Sequence, residues 1–242
     1  MSSVKPPVLF IHGAGGGGWQ WRDWRHVFWA VGYVHTLAPD LRPSPRGLEA
    51  TTLDDYIAQM SQVVQDLGSP PVIVGASMGG LIGLKLAEHH HLAALVLVNS
   101  APPAGTPGWP PSHRDFPPRV PWGSTLSRED TYESMPEADT ATVTWAHARW
   151  RDESGKVMQA LYDGVPAEQP DCPVLVICSG RDASVPPTVC EAAAQLLAAE
   201  RKTLAGASHV GALLGERSSQ VAQGAIHWLQ RLERERRGSP TS

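Results

Sequence analysis

Short apolar runs rich in β-branched residues recur along the chain: Val8 to Ile11, Val34 to Ala38, Val72 to Val74, Leu95 to Val98, Val174 to Ile177 and, more weakly, Lys202 to Leu204. Runs apolar at every position predict strands covered on both faces, as in a parallel sheet. Between them the period lengthens. Leu53, Tyr56, Ile57, Met60, Val63, Val64 and Leu67 share one helical stripe, and Gly68 follows as a C-terminal cap. Met78 to Glu88, Val189 to Ala199 and Ser219 to Leu232 read the same way. Strand alternating with helix predicts an α/β fold around a doubly wound, mostly parallel sheet, with ligands at the carboxyl ends of the strands.

One stretch breaks the alternation. From about Pro102 to Glu168 the chain is crowded with Pro and Trp and offers two helix-like pieces but no sheet strand. The first piece begins at Ser127 with Asp130 three residues on, a capping-box pattern, and the second runs from about Glu137 to Asp152. Trp109, Trp122, Trp145 and Trp150 are too apolar for a solvated linker, so residues 102–168 are expected to form a lid inserted into a single domain spanning 1–242. Trp122, Trp145 and Trp150 are the candidates for its pocket wall.

Composition narrows the partners. A formal net charge of -4 gives no attraction to phosphate backbones or anionic lipid, so nucleic acid and membrane surface are not expected and a small-molecule substrate is. Oligomeric state stays open. Met1 to Pro7 lack a signal-peptide core and no stretch could span a bilayer, which predicts a cytoplasmic protein. Cys172, Cys178 and Cys190 are odd in number and lack Cys-x-x-Cys spacing, so they are expected as reduced thiols, Cys178 in the core. His89, His90 and His91 are consecutive, so their side chains diverge; a solvated helix end is expected there and no metal. The charge run after Leu232 reads as a solvated helix end followed by a disordered terminus.

The candidate chemistry lies after the strands. Gly75-Ala76-Ser77-Met78-Gly79 follows Val72 to Val74 and opens a helix, placing the Ser77 hydroxyl at a helix N-terminus where developing negative charge is favoured. A serine hydroxyl is barely ionised at neutral pH and requires a base, itself held in one tautomer by an acid. Asp182, within Ser179 to Pro186, follows the strand ending at Ile177, and His209, within Gly206 to Gly211, follows the last strand. Asp163 and Asp171, at the return of the insertion, are the alternative acids. The glycine-rich turn His12 to Gly18 can aim backbone amides at an oxyanion; Ala14 and Met78 are the candidate donors, with His12 bracing the loop.

The His12-Gly13 loop, Ala38-Pro39-Asp40-Leu41-Arg42, the serine pentapeptide and the segments around Asp182 and His209 together resemble an α/β-hydrolase over nearly the whole chain outside the insertion. The order Ser, Asp, His matches that fold. His12-Gly13-Ala14-Gly15 followed by Trp19 and Trp21 is similar to the small branch containing plant methylesterases and hydroxynitrile lyases. The resemblance implies hydrolysis of a small, largely apolar ester, lactone or thioester through an acyl-enzyme, without a cofactor. Lyases of that branch carry a lysine beside the histidine where this chain has Val210, and dehalogenases and epoxide hydrolases of the fold have an aspartate where this chain has Ser77.

Rival readings remain on the same residues. Carbon-carbon hydrolysis, lyase chemistry or cofactor-free oxygenation can use a similar triad, and a slow-turnover receptor can keep one. Gly13 to Gly18 also satisfies Gly-x-Gly-x-x-Gly, with Asp40 where a ribose-binding acid of a nicotinamide dehydrogenase would sit. Against that reading, Trp19 to Trp24 do not resemble a helix packed tightly on a sheet, and the triad would go unexplained.

Overall fold

The computed structural model describes residues 5–110 and 112–238; the first four residues and the last four, part of the terminal charge run, lie outside the described residues. In chain order the elements are β1 (Val8–Ile11), α1 (Arg22–Ala30), β2 (Thr36–Leu37), α2 (Leu53–Asp66), β3 (Val72–Ala76), α3 (Met78–Ala87), β4 (Ala94–Val98), β5 (Arg119–Val120), α4 (Trp122–Thr125), α5 (Arg128–Ser134), α6 (Thr140–His147), β6 (Glu153–Ser154), α7 (Gly155–Asp163), β7 (Val174–Ser179), α8 (Pro187–Leu196), β8 (Glu200–Leu204), α9 (Gly211–Leu214) and α10 (Ser218–Gly238). Six strands form one sheet in the order β2-β1-β3-β4-β7-β8, every pair parallel. This is the sheet the apolar runs predict, except that β2 pairs over two residues only.

Period-two alternation divides the core into two layers. Leu9, Ile11, Ile73, Leu95, Leu97, Val174 and Val176 face α2, α3 and α8. Val8, Phe10, Val72, Val74, Val96, Leu175 and Ile177 face α1 and α10. Thr52 caps α2 through a capping box with Asp55, and Gly68 takes φ 66° just beyond its end. The residues after the glycine-rich loop correct the sequence reading. Trp19 to Trp24 do lead into a packed helix: Trp21, Trp24 and Phe28 are fully buried, and the Trp24 indole donates to the Ala212 carbonyl at 3.1 Å. The three aromatics pack in one cluster with Val8 and Phe10 of β1.

Residues 102–168 leave the sheet after β4 and return before β7. The capping box of Ser127 and Asp130 starts α5 as expected. The second piece is shorter than its pattern suggests: Asp139 caps α6, which ends at His147, and α7, capped by Ser154, goes unforeseen. A two-residue antiparallel ladder, β5 with β6, pins the insertion to itself. Among the described residues no helix is long and apolar enough to cross a membrane.

The cysteines are a second correction. Cys178 near the end of β7 and Cys190 on α8 are joined as a disulfide across the strand-helix contact, with Cα atoms 5.8 Å apart, leaving Cys172 free. Twelve residues of sequence separation hid a pairing that the packing of α8 on β7 brings within reach.

Candidate active site

The pentapeptide forms a tight strand-to-helix turn. Ser77 sits at φ 51°, ψ -121°, a conformation that costs a non-glycine residue of order 1–3 kcal/mol, and its flanking hydrogen bonds hold it there. The Ser77 amide donates to Val98 at 3.1 Å, and its carbonyl accepts from Gly80 at 3.0 Å and Ala101 at 2.9 Å. A methyl on Gly75 would run into the Gly79 carbonyl, and one on Gly79 into the Ile11 carbonyl, so strand and helix meet only because both lack side chains.

Ser77 and His209 line the same cavity of about 400 Å³. No hydrogen bond joins them among the described residues, a looseness common at unliganded nucleophile-base pairs. The imidazole is fixed from behind: Nδ1 lies 2.7 Å from Asp182 Oδ2. Asp182 is almost fully buried, and its Oδ1 accepts from the amides of Ser184 at 2.8 Å and Val185 at 2.9 Å. Three such partners satisfy the buried carboxyl oxygens. Asp163 and Asp171 stand elsewhere. The first accepts from Gln159 on its own helix, and the second borders a separate hollow beside His89, His90 and His91.

Opposite the histidine lies the glycine-rich loop. Ala14 shares the cavity with Ser77, and its amide has no partner among the described residues; the Met78 amide opens α3, beyond reach of any carbonyl four residues back. His12 is buried and braces this loop. Its Nε2 accepts from the Leu41 amide at 2.9 Å, which places the proton on Nδ1, 2.8 Å from the Gly13 carbonyl. Burial, with Arg151 nearby, lowers the His12 pKa from 6.5 to about 4. Between those values the unfolded chain binds a proton that the folded protein refuses, so stability falls as pH falls. Urea titrations at pH 7.5 and pH 5 are expected to show about 2 kcal/mol lost through this group. His12→Gln should flatten that slope; an unchanged slope would refute the assignment.

Three residues outside the candidates named from the sequence shape the site. Asn99, buried after β4 at φ 47°, donates to the His209 carbonyl at 2.8 Å and to Ser179 Oγ at 2.9 Å, tying two strand ends to the histidine loop. Glu137 of the insertion accepts from the Ser208 amide at 2.6 Å and its hydroxyl at 3.0 Å, one residue from His209. Trp109 lines the cavity, its indole donating to Leu161. Of the candidate wall residues, Trp122 and Trp150 line it and Trp145 does not. Trp145 is held between the guanidinium groups of Arg22 at 4.6 Å and Arg149 at 4.4 Å, edge-on to Trp19, and faces a separate open groove.

Asp40, the residue a dehydrogenase would direct at ribose, accepts from the Gly18 amide at 2.8 Å and so closes the glycine-rich turn. Of the three histidines, His90 lies 2.6 Å from Ser61 Oγ while His89 and His91 are exposed; among the described residues no cluster of metal-ligating side chains occurs.

A strained serine after the third strand, a histidine after the last, and a parallel sheet carrying both at its carboxyl edge define the α/β-hydrolase architecture. The chain belongs to the alpha/beta hydrolase family, whose model matches residues 8–223. No curated protein matches it. Similar solved structures include polyneuridine aldehyde esterase (TM-score 0.73, 18% identity, 95% of this chain and 99% of that one). A methylesterase from Arabidopsis (0.71, 15%, 93% and 100%) and a monoacylglycerol lipase from Paleococcus ferrophilus (0.71, 19%, 93% and 95%) share the fold to the same degree.

Proposed function

We propose that the protein is a serine hydrolase of a small, largely apolar ester, lactone or thioester. The observation that carries this reading is the 2.7 Å contact between Asp182 and Nδ1 of His209, the histidine that shares a cavity with Ser77. His209 Nε2 takes the Ser77 proton as Oγ attacks the carbonyl carbon, and the tetrahedral oxyanion lies against the Ala14 and Met78 amides. Collapse expels the leaving alkoxide or thiolate, which receives the proton from His209. Water then repeats the cycle on the acyl-enzyme and restores the serine. No cofactor enters these steps. The likeness to a methylesterase and another esterase supports ester over carbon-carbon chemistry, and Val210 in the cavity wall supplies no cation for a lyase.

In this reading residues 102–168 act as the lid. Trp109, Trp122, Trp150, Met158 and Leu161 roof the cavity, and Arg114 at the lining is its one Lys or Arg. Arg149 is stacked on Trp145, and neither Arg151 nor Arg181 lines the cavity. Each methylene buried there contributes about 0.8 kcal/mol. Phenyl acetate is therefore expected to exceed a monoester bearing a free carboxylate by at least tenfold in kcat/KM. Preference for the anion would transfer the selectivity to Arg114. A panel of aryl, alkyl, lactone and thioester substrates run on wild type and Ser77→Ala tests the function as a whole, because turnover that survives the substitution would remove the serine from the chemistry.

We propose a cytoplasmic location for the protein. The Cys178–Cys190 bond weighs against it, since cytosolic thiol pools keep such pairs reduced.

A further inference from the structure

Four consecutive glycines, Gly15 to Gly18, follow Ala14, and a chain so free in φ and ψ does not by itself aim an amide. Within its own neighbourhood the loop has two turn bonds, from the Gly16 amide to the Gly13 carbonyl at 3.2 Å and from the Gln20 amide to the Gly17 carbonyl at 3.0 Å, together with the His12 contact to Gly13 and the Asp40 contact to Gly18. Its remaining supports come from the far end of the insertion. The Arg151 amide donates to the Gly15 carbonyl at 2.8 Å. The guanidinium of the same residue spreads over three acceptors: Nε reaches the Gly16 carbonyl at 2.7 Å, Nη2 the His12 Nε2 at 3.2 Å and Nη1 the Leu41 carbonyl at 3.3 Å. Two residues on, the buried Glu153 accepts from the Gly15 amide at 3.1 Å and is itself held by the Tyr56 hydroxyl at 2.8 Å.

We propose that Arg151 is a positioning residue for the oxyanion hole: its planar fork fixes the carbonyls of Gly16 and Leu41 and the ring of His12, and so aims the Ala14 amide. The chemistry of the side chain fits the task. Guanidinium presents donors in several directions from one rigid plane, whereas an ammonium on a flexible stem cannot hold three separated acceptors at once. Glu153 meanwhile occupies the Gly15 amide, and Ala14, whose amide is unpartnered among the described residues, is the residue of this turn that lines the cavity. The lid thereby acts on the rate of the chemical step as well as on substrate choice.

The inference rests on the ester-hydrolase reading, and ketone inhibitors separate the two. An aryl trifluoromethyl ketone adds to the serine and places an oxyanion in the hole; the matching methyl ketone binds as a ground-state mimic. Arg151→Ala is expected to lower kcat about 10- to 100-fold with KM within about threefold of wild type. Affinity for the trifluoromethyl ketone should fall by the same factor, with methyl ketone affinity unchanged. Arg151→Lys, which can reach one carbonyl, should fall between wild type and Ala. The Arg151 side chain is 37% exposed, so its truncation is compatible with folding. Equal loss of affinity for both ketones, or for neither, would overturn the positioning role. A wild-type protein that binds the fluorinated ketone no tighter than the methyl ketone would instead overturn the ester-hydrolase reading, and the inference with it.

Discussion

Ser77→Ala lowers kcat for ester hydrolysis by about 10⁴-fold or more and leaves the fold intact. The size of the loss follows from the unity of the triad: with no hydroxyl to deprotonate, His209 and Asp182 have nothing to activate, and only the amides and the apolar walls still act on the transition state. The fold survives because Ser77 contributes its backbone to the turn. Its amide and carbonyl make the bonds to Val98, Gly80 and Ala101, and Ala keeps all three. A fluorophosphonate should label Ser77 and no other serine, and the label should vanish in the variant. Retention of more than about a tenth of wild-type activity would refute the nucleophile assignment.

Asp182→Asn has the second largest expected effect, a fall of about 10³- to 10⁴-fold in kcat. The amide fits the same space and can still accept from Ser184 and Val185 with its oxygen, which directs its NH₂ group toward His209 Nδ1. A donor facing Nδ1 forces the imidazole proton onto Nε2, so the nitrogen that should take the serine proton has no lone pair to offer. Asp163→Asn and Asp171→Asn should stay within about threefold of wild type, since Asp163 pairs with Gln159 and Asp171 borders a separate hollow, while the carboxylate at His209 Nδ1 is that of Asp182. The opposite pattern, a silent Asp182→Asn beside an inactive Asp171→Asn, would reassign the acid.

Legibility in the sequence tracks the range of the interactions involved. The central strands announce themselves because burial on both faces makes every residue of Val72–Ala76 and Ala94–Val98 apolar or small. Ser77, Asp182 and His209 are each put forward as candidates by one local fact, their place after a strand. The insertion resists the same reading because its pieces are brief: β5 and β6 have two residues each and α4 has four, too few for any period to emerge. Asn99 and Glu137 carry no local signal at all. Their partners lie 110 and 71 residues away, at His209 and Ser208, and only the closed sheet brings them together. Trp145 shows the converse. Its bulk and position suggest a pocket wall, but the ring packs with the guanidinium groups of Arg22 and Arg149 and lines a separate groove.

The insertion's contacts with the two loops beneath it bear on how such an enzyme could be re-engineered. Roofs of this kind invite treatment as interchangeable cassettes, to be grafted between scaffolds when a new substrate is wanted. Here the exchange would remove Glu137 from the histidine loop and Arg151 and Glu153 from the glycine turn in one stroke. A chimera would therefore inherit the donor's selectivity only if those three anchors travelled into the recipient frame, and directed evolution of the roof would do better to hold them constant while randomising Trp109, Trp122 and Leu126.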